Sequence, residues 1–141
     1  ISANIQLLLE YMSRFYDRQF ITRHKVNSSV VAAFEKELSR IYSAGATLNE
    51  VPKVSYFADK ANLTPGYFGD LIKRETGSSP QDIIKLYIIN EAKRRLASTD
   101  ADISVIAYDL GFQYPQHFTR LFKRVTGKSP IVFRNEFYTN N

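Results

Sequence analysis

An internal repeat constrains this chain more than any other feature. Sliding the sequence against itself by about fifty residues brings two segments into register. Phe68-Gly69-Asp70-Leu71-Ile72-Lys73-Arg74-Glu75-Thr76-Gly77-Ser78-Ser79-Pro80 lies over Phe118-Thr119-Arg120-Leu121-Phe122-Lys123-Arg124-Val125-Thr126-Gly127-Lys128-Ser129-Pro130, with the Phe, Leu, Lys, Arg, Thr, Gly, Ser and Pro positions identical. Upstream, Val54-Ser55-Tyr56-Phe57-Ala58 lies over Ile103-Ser104-Val105-Ile106-Ala107, and Leu63 over Phe112, with one extra residue in the second turn. A chain of 141 residues can bury one ordinary core or two small linked ones. The repeat selects two linked copies of one unit.

Each copy has the grammar of two short helices joined by a tight turn. In the first, Val54, Phe57, Ala58 and Ala61 form an apolar stripe, Asn62-Leu63-Thr64 makes the turn, and Thr64 caps a helix that opens on Pro65. In the second, Ile103, Ile106, Ala107 and Leu110 form the stripe, Gly111 supplies the turn and Pro115 opens the next helix. Ala58 and Ala107 are small because a larger side chain at the crossing would hold the two axes apart. In the second helix of each unit, Phe68, Leu71, Ile72 and Phe118, Leu121, Phe122 fall at i, i+3, i+4 and must face the core. The outward faces then carry Gly66, Gly69, Asp70 and Lys73 in one copy and Gln116, Thr119, Arg120 and Lys123 in the other.

Ser79-Pro80-Gln81-Asp82 and Ser129-Pro130 each start a further helix, with Ser as cap and Asp82 as the capping-box acid in the former. The helix from Pro80 to about Ala97 joins the two units and holds them at a set separation. Its closing cations Lys93, Arg94 and Arg95 suit either the helix macrodipole or a phosphate. Ahead of the repeat, Ile5, Leu8, Leu9, Met12, Phe15 and Tyr16 share one helical face. After Thr22-Arg23-His24-Lys25, Asn27 or Ser28 can cap a second helix carrying Val30, Val31, Phe34, Leu38, Ile41 and Tyr42 until Gly45. The expected fold is therefore all-α: two helix-turn-helix subdomains bridged by a long helix and preceded by an N-terminal helix pair. Residues 1–45 are read as a helical linker and candidate dimerisation segment, 46–97 as the first subdomain with its bridging helix, and 98–141 as the second.

The chain carries a formal charge of +5, compatible with a polyanionic partner. Zero Cys removes disulfides, thiolate metal sites and thiol nucleophiles, which fits a reducing compartment such as the cytoplasm. No stretch approaches the roughly 18 uninterrupted apolar residues of a membrane span. His24 and His117 lie in unrelated elements, with no metal-ligand spacing, phosphate-cradling loop or nucleophile beside a base. An enzyme is not expected, and neither is a cofactor. The opening Ile1-Ser2-Ala3-Asn4, without an initiator Met or signal-type stretch, reads as part of a longer protein.

The run Ile106-Ala107-Tyr108-Asp109-Leu110-Gly111-Phe112, then Pro115-Gln116-His117-Phe118-Thr119-Arg120-Leu121-Phe122-Lys123-Arg124, then Gly127-Lys128-Ser129-Pro130 and Phe133-Arg134, closely resembles the signature of the AraC/XylS family of bacterial transcription regulators. The resemblance covers roughly Val51 to Phe137. It implies sequence-specific binding to a double-stranded DNA operator, with each subdomain able to place a recognition helix in a major groove on one face of the duplex. Gln116, Thr119 and Arg120 are implied as base readers, with His117 beside them on the same helix. The chemistry agrees: Arg bonds guanine O6 and N7, Gln bonds adenine N6 and N7, and the Thr methyl packs on thymine. Lys123, Arg124 and the capped helix N-termini, Thr64 included, are implied as phosphate contacts that set register. A full-length relative also implies RNA polymerase as a partner, a nucleoid-associated location, and a homodimer through the N-terminal helices or through an upstream sensor domain.

The first unit departs from the family's pattern. Members commonly carry larger polar or basic side chains where this chain has Gly66, Gly69 and Asp70. Glycine cannot read a base edge, and Asp70 repels phosphate unless it accepts from a cytosine amino group. Tyr67 and Asp70 are the candidates for base contact there, with Lys73 and Arg74 for phosphate. The alternative is a protein-interaction module of the same fold with weak or non-specific DNA binding. Salt-dependent binding to duplex DNA separates the two readings.

Overall fold

The computed structural model describes residues 2–140, apart from the side chains of residues 2–6, 8, 9, 11, 13, 15–17 and 20. Its helices are α1 (Ser2–Ile41), α2 (Val54–Lys60), α3 (Pro65–Thr76), α4 (Pro80–Ser98), α5 (Ile103–Asp109), α6 (Pro115–Thr126) and α7 (Pro130–Asn140). Among the described residues the extended backbone pairing is limited to one isolated parallel bridge, Leu48 to Leu110. The all-α architecture of two helix-turn-helix units, α2–α3 and α5–α6, joined by the long α4, is the one expected.

The N-terminal helix pair is corrected to a single helix. Residues 22–25 contain neither Gly nor Pro, so nothing forces a break, and α1 runs unbroken for 40 residues. Thr22 donates its hydroxyl back to the Arg18 carbonyl at 2.9 Å, a bond that belongs to a helix interior. Asn27 does not cap. It is buried inside α1 and its amide donates to Glu75 Oε1 on α3 at 3.3 Å, with His24 Nδ1 lying 3.8 Å from the other Glu75 oxygen. The apolar face expected from Ile5, Leu8, Leu9, Phe15 and Tyr16 lies outside the described side chains, while Met12 is exposed. The helix ends at Ile41, before Gly45, which supplies a positive φ in the turn that follows.

The C-terminal half of α1 is core. Phe34, Leu38 and Tyr42 are buried, and the Phe34 ring sits edge-on to Phe57 at 4.8 Å and to Phe68 at 5.3 Å. Each edge-to-face pair adds about 1 kcal/mol beyond its buried area. On the rim of this packing Glu37 accepts from Arg40 Nη2 at 2.6 Å and from the Tyr56 hydroxyl at 2.7 Å, with Lys60 Nζ at 3.3 Å. The Arg40 hydrogen bond, helped by Tyr56 and Lys60 and opposed by burial, lowers the Glu37 carboxyl to about 2.

The sequence repeat recurs in the bonding of the turns and helix ends, apart from the side-chain cap that Thr64 gives α3 and Tyr114 does not give α6. Ala58 and Ala107 are fully buried, and their carbonyls accept from the turn amides of Leu63 and Phe112 at 3.0 Å in both units. Thr64 caps α3 by accepting from the Tyr67 amide at 3.2 Å, and Pro65 and Pro115 open the two second helices. Thr76 and Thr126 donate to the Ile72 and Phe122 carbonyls at 2.6 and 2.8 Å, ahead of the left-handed Gly77 and Gly127. At the start of α4, Ser79 Oγ accepts from the Asp82 amide at 3.2 Å, while the Asp82 carboxylate lies 4.0 Å from Lys85 rather than closing the expected capping box.

The two units are locked together by more than α4. The segment between α1 and α2, read from sequence as a plain linker, is held against the second unit. Leu48 donates its amide to the Asp109 carbonyl at 2.8 Å, and Arg95 Nη2 on α4 donates to the Ala46 carbonyl at 2.7 Å. Gly111 faces the Glu50 backbone so closely that a Cβ there would lie 2.6 Å from the Glu50 carbonyl carbon. At the far end of α4, Arg134 on α7 donates to the Leu96 and Thr99 carbonyls at 3.1 and 3.2 Å, satisfying acceptors that a helix terminus leaves open.

Candidate nucleic-acid interface

The orientation of α6 follows from what it buries. Phe118 and Phe122 are fully buried and Leu121 is partly so, which turns the opposite face to solvent. Gln116, His117, Arg120, Lys123 and Arg124 are exposed there, and Thr119 is half-buried between them. The Tyr114 ring, itself half-exposed, meets the His117 imidazole edge-on at 5.4 Å and so steadies the helix start that the backbone of Tyr114 caps without a side-chain bond.

On α3, Phe68, Leu71 and Ile72 are buried, and Thr64, Gly66, Tyr67, Asp70, Lys73 and Arg74 are exposed, with Gly69 half-buried. A Cβ at Gly66 or at Gly69 would meet nothing within 4 Å, so no internal contact requires glycine at either position. Each nevertheless lowers helix propensity by up to about 1 kcal/mol.

The two outward faces differ in chemistry. That of α6 carries an amide, a hydroxyl and a guanidinium at positions that follow one another along the helix, with cations in its last turn. That of α3 offers two bare stretches of backbone and a carboxylate before the cations Lys73 and Arg74. Lys73, Arg74, Arg120, Lys123 and Arg124 hold no ion pair among the described residues. The cations closing α4 resolve differently. Arg94 Nη2 and Arg95 Nε both bond Glu91 Oε1, at 2.6 and 2.9 Å. Burial alone would raise the Glu91 carboxyl, but the hydrogen bonds from Arg94 and Arg95 outweigh it and hold it below the usual carboxylate range. Arg95 is buried and braces the fold from within, while Arg94 pairs with the same carboxylate from the surface.

A family model described as a helix-turn-helix domain matches residues 57–136, more than half of the chain and both repeated units. The chain belongs to the AraC-type helix-turn-helix family of DNA-binding transcription regulators. Among relatives of this AraC-type chain, the HTH-type transcriptional regulator YobQ of Bacillus subtilis is 34% identical over 87 residues, covering 62% of this chain and 36% of YobQ. The raffinose operon transcriptional regulatory protein RafR of Pediococcus pentosaceus is 29% identical over 97 residues, covering 69% of this chain and 33% of RafR. The chain thus spans about a third of the length of these relatives.

Two solved structures share the AraC-type fold. The C-terminal domain of AraT, a response regulator from Geobacillus stearothermophilus, superposes with a TM-score of 0.68 at 23% identity, over 76% of this chain and 84% of that one. The DNA-binding domain of AdpA, a global transcriptional factor in complex with a target DNA, gives 0.67 at 23% identity, over 82% and 95%. No helix among the described residues is long and apolar enough to cross a membrane.

The coupling of the two units through Ala46, Leu48 and Glu50 leaves no local signal in the sequence. A short loop that carries no charge pattern gives no sign of which neighbour it touches. Arg95 was a visible cation, but its buried partner Glu91 lies one turn back on the same helix, where the spacing also suits an exposed pair.

Proposed function

We propose that this chain binds double-stranded DNA sequence-specifically, with α3 and α6 entering successive major grooves on one face and base reading concentrated on α6. The observation that carries this reading is the contrast between the two outward faces. Exposed Gln116 and Arg120, with Thr119 between them, offer hydrogen-bonding and methyl groups suited to base edges, and His117 stands beside them. Lys123 and Arg124 on α6, and Lys73, Arg74 and the capped start of α3 at Thr64, serve as phosphate contacts that set register. Tyr67 and Asp70 are what α3 has for base contact, and Asp70 suits only an amino donor such as cytosine N4. The first unit accordingly positions the complex more than it reads. The target-DNA complex of the AdpA domain, which shares the fold, supports duplex DNA as the ligand.

In this reading residues 1–45 connect to an upstream part of a longer bacterial regulator, 46–97 form the positioning subdomain, and 98–141 form the reading subdomain. The regulator acts in the cytoplasm on nucleoid DNA, works with RNA polymerase, and dimerises through α1 or its upstream part. Selection of bound sequences from a pool of random duplexes tests the central assignment. A single conserved half-site supports reading by α6 alone. Two equally defined half-sites about one helical turn apart would show that α3 reads as well, and no enrichment at all would favour the protein-interaction module.

A further inference from the structure

The face of α1 that packs on the first unit changes character along its length. From Val30 through Phe34 to Leu38 it is apolar and meets α2 and α3. About two to three turns earlier the same face carries Arg18, Gln19, Thr22 and Arg23, and these line an open groove with Tyr67, the exposed aromatic in the first turn of α3. Arg18 and Arg23 are exposed and hold no ion pair among the described residues. The surrounding segment is basic: Arg14, Arg18, Arg23 and Lys25 stand against the single acid Asp17.

The geometry points to Arg18 and Arg23 as additional DNA phosphate contacts, so that α1 extends the nucleic-acid surface of the first unit beyond its helix-turn-helix. This rests on the reading that α3 faces DNA. A recognition helix in a major groove has a phosphate backbone on either side of it, and contacts to both strands fix it there, more strongly where a cation supplies them. The cations of α3 itself, Lys73 and Arg74, both lie in its last turn. Its first turn offers Thr64, Pro65 and Gly66 and no cation. Arg18 and Arg23 are placed beside that first turn by the shared groove at Tyr67, where they complete the pair of clamps. Free guanidiniums on a helix overhanging an anionic duplex gain counterion release for each phosphate they neutralise. The charge of the groove excludes a cationic partner, and its position next to α3 favours the duplex that α3 faces over a separate acidic protein.

The test measures affinity and its salt dependence by fluorescence anisotropy, on one selected duplex with generous flanks, using the whole chain. Neutralising two phosphate contacts accounts for about 1.8 in the slope of log K against log salt, so from 50 to 200 mM salt R18A/R23A should lose about twelvefold less affinity than the unsubstituted chain. Its affinity at the lower salt should be weaker, and R18K/R23K should restore most of both quantities. Both side chains are exposed, so the helical circular dichroism should not change. An unchanged affinity and slope for R18A/R23A, with K73A and K123A each lowering both, would overturn the α1 contact and leave the α3 and α6 reading standing. No effect from any of these variants would overturn both. A loss that appears without a change in slope and is not restored by lysine would assign Arg18 and Arg23 to packing and overturn the proposal.

Discussion

The Arg95 guanidinium bonds Glu91 on its own helix at 2.9 Å and the Ala46 carbonyl, 49 residues earlier in the chain, at 2.7 Å. One buried cation thereby ties the bridging helix to the segment that enters the first unit. Nearby, Leu48 and Glu50 of that segment meet the turn of the second unit, so the spacing of α3 and α6 is held by a closed set of contacts rather than by α4 alone. Removing Arg95 leaves a buried carboxylate with Arg94 as its remaining partner. R95A should destabilise the fold by about 3 kcal/mol, read as a lower urea midpoint. R94A, whose partner keeps Arg95, should cost less than half as much.

The turn of the second unit gives a sharper contrast. Gly111 and Gly127 both have positive φ, +99° and +81°, but a Cβ at Gly111 meets the Glu50 backbone whereas one at Gly127 meets nothing within 4 Å. G127A should cost only the left-handed penalty of about 1 to 2 kcal/mol. G111A adds a clash with backbone that cannot swing aside, and should cost about 3 kcal/mol or more. Thermal unfolding of the two variants checks the order; equal losses would show that the approach to Glu50 is not rigid.

Most of this architecture was legible in the sequence, and the reason is the repeat. A stretch such as Phe118 to Pro130 that recurs at Phe68 to Pro80 carries its own periodicity, its glycine stop and its capping serine, all local signals. The N-terminal region was not legible in the same way. Polar residues at 22–25 looked like a break, yet a helix stops only where something stops it, and Asn27 serves a tertiary contact with Glu75 that no local pattern displays. The candidate base readers were legible as an outward face once Phe118 and Phe122 were assigned to the core, and the structure sets their exposure in that arrangement.

Gly66 and Gly69 give a prediction with opposite signs for folding and binding. Neither has an internal neighbour to accommodate, so G66A and G69A should each raise stability, by up to about 1 kcal/mol, through helix propensity. If the bare backbone of α3 lies close to the duplex, the same variants weaken binding to all sequences alike. Anisotropy titrations on selected and random duplexes should show that loss; unchanged affinity would mean the glycines serve no contact.

Acid stability follows from two carboxylates. Glu37 and Glu91 both titrate below their ordinary value of 4.5 in the folded chain, Glu37 at about 2. The folded state therefore binds fewer protons than the unfolded one in this range, and the stability they contribute is fully present well above pH 4.5 and lost as pH falls toward 2. E37Q and E91Q should each flatten the acid limb of a stability profile. The Glu37 effect should shrink in added salt, because its partners Arg40 and Lys60 are largely exposed, while that of buried Glu91 with Arg95 should persist.

The concentration of base reading on α6 is tested most directly by comparing R120A with K123A on a selected operator duplex and on random DNA. Arg120→Ala should weaken operator binding by about 1 to 3 kcal/mol and relax the preference at one base pair, while leaving random DNA almost unaffected; Lys123→Ala should weaken both duplexes alike. Equal losses on operator and random DNA for Arg120→Ala would contradict the account.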